Sequence, residues 1–112
     1  MVEMTLQVPD KLAERCLSAG RWLPTILELS FMGFKTMATA AAAEVIEFLS
    51  ANPSPDDVVD FHVSESAQQR LRRLLVLNEA GCLQANEQIE LNELQELEHI
   101  IIMLKAGLQA VT

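Results

Sequence analysis

The sequence contains no tyrosine, a single tryptophan and four phenylalanines, so any core it builds is aliphatic. Its two cysteines, Cys16 and Cys82, form no C-x-x-C step and stand at no paired-histidine spacing. That removes the usual zinc and redox motifs and leaves two reduced thiols. No apolar run nears the ~20 residues of a membrane-spanning helix. The longest contender, Trp22 to Leu49, is interrupted by Glu28, Lys35, Glu44 and Glu47. The opening MVEMTLQV lacks the basic region and long apolar segment of a signal peptide, so a cytoplasmic protein is expected. Catalytic signatures are missing as well. No serine or cysteine has a histidine partner by spacing, His62 stands alone, and no glycine-rich loop cradles a phosphate. Neither an enzyme nor a bound cofactor is expected.

Bases are scarce too. The chain holds 16 acids against 8 Lys and Arg, a net charge of −8. The imbalance is confined to one part. Residues 1–35 carry Glu3, Asp10, Glu14 and Glu28 against Lys11, Arg15, Arg21 and Lys35, and so balance. Beyond them, twelve acids face only Arg70, Arg72, Arg73 and Lys105. DNA affinity rests largely on neutralising phosphates, so any DNA contact belongs to the N-terminal third.

What the chain does have is apolar content, at 50% of its residues, enough for one domain or two small lobes sharing a core. The Val63–Gly107 stretch reads as two amphipathic helices around a Gly81 turn. The first starts at Ser64 or Ser66, whose hydroxyl can cap free N–H groups, and carries Ala67, Leu71, Leu74 and Leu75 as its apolar stripe. The second begins between Gln84 and Asn86 and runs to about Lys105. Leu94, Leu97, Ile101, Leu104 and Leu108 follow steps of three and four, a heptad seam. Ile100 to Leu104 is apolar without a break, so this helix needs cover on several sides. A dimer built on Leu94, Leu97, Ile101 and Leu104 is the natural cover, and a central helix in one monomeric core is the alternative. The charges of the two helices are segregated. Arg70, Arg72 and Arg73 on the first and the glutamates of the second read as solvated faces with weak pairing.

Upstream, Val2, Met4, Leu6 and Val8 alternate with polar residues, the pattern of a strand with one buried face, ended by Pro9. Such a strand needs a partner. Val58–Val63 is one choice and the same strand of a second subunit is the other. Asp10 and Leu23-Pro24 open two helices separated by Gly20, and an alanine-rich helix spans Thr36 to Ser50. The prolines of Asn52–Asp57 mark a boundary between residues 1–52, a strand-helix-helix lobe, and residues 53–112, an acidic helical hairpin. The expected fold is mostly α, with a short N-terminal β-strand, a helical lobe and an antiparallel helical hairpin, as an intertwined dimer.

Strand, helix, glycine turn and helix is the order of a ribbon-helix-helix DNA-binding module. In that register Thr5 and Gln7 face bases, Arg21 touches phosphate, and the helix N-terminus near Thr25 meets a second phosphate. Glu3 opposes this, and the strand carries no base. Glu96 and His99 form one Glu-x-x-His step, whereas carboxylate-bridged metal bundles use two, so no metal is expected.

The opening MTLQVPDKLAERC and the segment from Asp57 to Gly107 together resemble a group of small bacterial proteins, mainly cyanobacterial, that look like antitoxins of type II toxin–antitoxin pairs. Ser64, Gln68 and Leu71, the Asn78-x-x-Gly81-x-Leu83 step, Glu90, Leu91, Leu97 and Lys105 sit at matching places. Gln84 departs from the pattern where a capping Thr or Ser is usual, and the strand is unusually poor in bases. The resemblance implies a dimer whose N-terminal part binds operator DNA weakly and whose acidic helical part covers a toxin protein. The competing expectation is a non-enzymatic helical oligomerisation or adaptor protein with no nucleic-acid role.

Overall fold

The computed structural model describes residues 2–110, with side chains through residue 108. Six α-helices occupy these residues: α1 (Asp10–Ala19), α2 (Leu23–Phe31), α3 (Ala38–Ser50), α4 (Pro55–Val59), α5 (Glu65–Glu79) and α6 (Ala85–Ala110). A single 3-10 turn, Gly20–Trp22, joins α1 to α2. The mostly-α expectation holds.

Local chemistry sets the ends of α5. The Ser64 hydroxyl accepts from the Ala67 N–H at 3.3 Å. At the other end Gly81 adopts φ +69°. Cys82 N–H donates to Leu77 O and Gly81 N–H to Asn78 O, so a left-handed residue closes the helix with paired bonds. α6 starts with half of a capping box: Glu87 accepts from the Gln84 N–H at 3.0 Å, although Gln84 supplies no hydroxyl in return. The helix then passes through Gly107 without interruption.

Two strand expectations are corrected. Among the described residues there is no strand, and Val2–Pro9 has no regular secondary structure. Period two selects a face but supplies no partner, and a lone strand is unstable. Val58-Val59 enters a helix instead. Ser54 caps it by accepting from Asp57 N–H, Pro55 fits its first position, and Asp56 and Asp57 favour its positive end. Capping here overrides the β preference of two valines.

The core is continuous across the proline-rich boundary. Trp22, Leu29, Val45, Leu49 and Val58 join Leu74, Leu91, Leu94 and Leu97 in one cluster. Trp22 is 2% exposed and its Nε1–H donates to Pro53 O at 2.8 Å, so one side chain satisfies its polar atom and pins the linker. Gly20 has φ +61° and a Cβ there would meet the Asn52 side chain at 2.8 Å. The positive φ calls for glycine there, and any larger residue would also displace the Asn52 side chain.

Leu94 and Leu97 are 6% and 2% exposed within the single chain. The expected dimer seam is therefore intramolecular at these two positions, because α3 and α5 both pack on α6. Ile101 and Leu104 are partly covered by the same core. Only Ile102 and Met103, at half exposure, leave part of the Ile100–Leu104 run open.

Candidate functional site: a groove between two helices and an acidic surface

α3 and α5 flank α6 yet scarcely touch one another. The gap between them is a groove formed by two adjoining cavities of about 310 and 350 Å³ that share Ala41, Ala67 and Leu94. Its floor is α6, where Leu94, Leu97, Ile101 and Lys105 follow in order. Its walls combine small residues, Ala40 and Ala41 of α3 and Ser66 and Ala67 of α5, with the longer Met37, Glu44, Gln68, Arg70 and Leu71.

Charged side chains around the groove are engaged in hydrogen bonds within the chain. Arg70 grips Glu90 with two parallel bonds, Nε to Oε2 at 2.8 Å and Nη2 to Oε1 at 3.0 Å. Glu90 is only 6% exposed. Such two-pronged pairs fix geometry as well as adding energy. The hydrogen bond to Glu90 raises the Arg70 pKa above its ordinary value, with burial opposing the shift. The Glu44 carboxylate on α3 accepts from both the N–H and the hydroxyl of Ser64, tying α3 to the start of α5. Lys105 Nζ donates to Phe61 O, and Gln68 Nε2 donates to Val63 O at 2.8 Å, so both fasten the α4–α5 loop.

Glu93 plays the same part on the other side of α6. It accepts from the Lys35 and Thr36 backbone N–H groups, at 2.8 and 3.1 Å, and from the Thr36 hydroxyl. Thr36 in turn accepts from Ala38 N–H, so the carboxylate anchors the start of α3. Burial pushes the Glu93 pKa up, but these hydrogen bonds and the Lys35 charge outweigh it and hold the group below its ordinary value.

The residues expected to contact DNA have different surroundings. Thr5 and Gln7 lie on the exposed N-terminal segment. Arg21 is exposed and stacks its guanidinium 4.9 Å from the Trp22 ring centre. Thr25 is half-buried and lines a cavity of about 380 Å³ with His99, Ile100 and Met103 of α6. His99 is exposed, and among the described residues no three His, Cys, Asp or Glu side chains gather at one point. No helix of the described residues is long and apolar enough to cross a membrane.

Sequence reasoning treated Arg70 and the glutamates as solvated faces and missed the bidentate Arg70–Glu90 pair and the Glu93 anchor. Opposite charges on adjoining helices signalled the first. The second joins residues 57 apart, and nothing local announces it. Comparison of the chain with protein-family models, with curated proteins and with solved structures gave no match.

Proposed function

We propose that this chain is an antitoxin-like binding protein: it associates with itself and covers a basic partner protein with its acidic helical surface. The observation that carries this reading is where the free charge lies. Three of the four bases beyond residue 36 are occupied within the chain: Arg70 by Glu90, Arg72 by Glu65, and Lys105 by the Phe61 carbonyl. Glu47, Asp56, Asp57, Asp60, Glu96 and Glu98 remain exposed. Exposed acids of this kind complement a positive patch such as the RNA-binding groove of a small ribonuclease toxin, speeding encounter and setting specificity. The resemblance carried by Ser64, Gln68, Asn78, Gly81 and Leu83 supports the same class.

Operator binding is a minor part of this reading. Thr5 and Gln7 are accessible, but Glu3 stands between them and Val2, and the nearest bases are on α1. A helical adaptor with no nucleic-acid role is the second reading, favoured by that shortage of bases. The test is a pair of measurements on the product of the adjacent reading frame. Coexpression should relieve its toxicity, and calorimetry should show binding that weakens as salt rises. A non-toxic neighbour that does not bind would overturn the antitoxin reading.

A further inference from the structure

Past the N-terminal segment, the most exposed large apolar side chain among the described residues is Phe31, the last residue of α2, at 85%. Leu27, one turn earlier on the same side, is 44% exposed. The backbone after Phe31 is held in place. Gly33 turns it at φ +63°, and Glu93 accepts from the Lys35 and Thr36 N–H groups. An exposed ring beside a fixed loop loses little freedom on binding, as suits an interface anchor. At the same end of α2 lies a hole of about 230 Å³ between α2 and α3. Phe34 and Ile46 line it, and Ser30, Gly33, Thr39 and Ala43 form its exposed rim. It is smaller than the ~300 Å³ at which small-molecule pockets begin, and it suits a single side chain. None of its lining residues is ionisable.

We infer that two copies of the chain associate through this end of α2, with Phe31 of each entering the α2–α3 hole of the other about a two-fold axis. A two-fold contact requires a surface that complements itself, and a knob beside a hole does so. An unrelated partner would need only one of the two. Charge points the same way. Each copy carries −8, so two copies repel except where charge is sparse or balanced, and the hole is neutral. Its flanks carry both signs. Lys35 follows Phe31 by four residues and Glu47 follows Ala43 by one helical turn; both are exposed. Neither forms an ion pair among the described residues. Bringing knob to hole sets Lys35 of one copy toward Glu47 of the other, twice per dimer. A basic partner would instead seek the outward acids of α4 and α6. A buried phenylalanine covers about 150–250 Å², roughly a quarter of the ~800 Å² that each partner contributes to a standard interface, and the hole and Leu27 add to it. This inference rests on the self-association within the proposed function, names its surface, and is independent of any toxin.

Sedimentation equilibrium on the full chain and three variants tests it, with no partner protein present. Wild type at tens of micromolar should have the mass of a dimer. Phe31→Ser removes both rings of the contact and should weaken association at least about 100-fold. Ala43→Lys blocks the hole and should do the same. Both positions are exposed, so the melting temperatures should stay near that of wild type. Val76→Ser, at a site 65% exposed on α5, should leave the dimer intact. The decisive sample is the equimolar mixture of Phe31→Ser and Ala43→Lys. One variant keeps a hole and the other a ring, so a mixed dimer regains one of the two contacts. It should form more tightly than either variant alone. A monomeric wild type would overturn the proposal together with self-association. A dimer that survives Phe31→Ser, a mixture no tighter than its components, or equal dissociation by Val76→Ser would overturn this surface and leave self-association standing.

Discussion

Glu90 and Glu93 differ from Glu96 and Glu98 in nothing but position, yet the two pairs have opposite roles. All four lie on α6 within nine residues. Glu90 and Glu93 turn toward α5 and the start of α3 and take up five hydrogen bonds between them. Glu96 and Glu98 point outward and are exposed. Helical phase alone decides which acid is architecture and which is surface. Net charge is therefore a poor guide to what this protein presents to a partner. The acids that count are those with no internal donor.

The largest effect should come from Glu90→Ala. It strands a guanidinium that is partly covered and removes two charge-assisted bonds, and should lower stability by about 1–3 kcal/mol in urea unfolding. A loss below about 0.5 kcal/mol would erase the distinction between inward and outward acids.

Glu93→Gln should cost less at neutral pH, about 1 kcal/mol, because an amide oxygen can still accept from one N–H. Its clearer signature is in acid. A carboxylate whose pKa is lowered on folding stabilises fully above its unfolded value, and that stability is lost as pH falls through the folded value. The wild type should therefore lose more stability than Glu93→Gln on acidification from the ordinary glutamate range downward. Parallel thermal melts across that range would check it, and identical acid limbs would contradict the Glu93 anchor.

These contacts show what the sequence could reveal and what it could not. The limits of α5 were readable because a cap is a short-range bond: Ser64 to Ala67 at one end, Gly81 and Cys82 to residues three to five back at the other. The apolar stripe of α6 was readable too, but not what covers it. Leu94 and Leu97 show heptad spacing whether a second chain or α3 and α5 lie over them. The Val2–Val8 alternation had the same ambiguity. It predicts a strand with one buried face, but the four apolar side chains are exposed and no strand partner exists among the described residues. Val58-Val59 misled because Ser54-Pro55-Asp56 gives a stronger local instruction than two β-branched residues.

Glu96→Gln and Glu98→Gln, singly or together, should change stability by less than about 0.5 kcal/mol, as for exposed sites without partners. A larger loss would mean that the outward acids also brace the fold. Smaller still should be any response of the free protein to DNA. Gel shifts on its upstream region should show weak or no binding, and Gln7→Ala or Arg21→Ala should change little, since few bases are placed to release counterions. Tight, salt-sensitive binding by the free chain would give the N-terminal third a larger role than its charge allows.

The outward acids can be tested most directly by reversing them. Glu96→Lys with Glu98→Lys should leave the melting temperature near that of wild type. The same change should weaken binding to the product of the adjacent reading frame by at least about tenfold at low salt, with the difference shrinking as salt rises. Unchanged affinity for that partner, with the fold intact, would contradict the claim that the outward acids of α6 take part in binding.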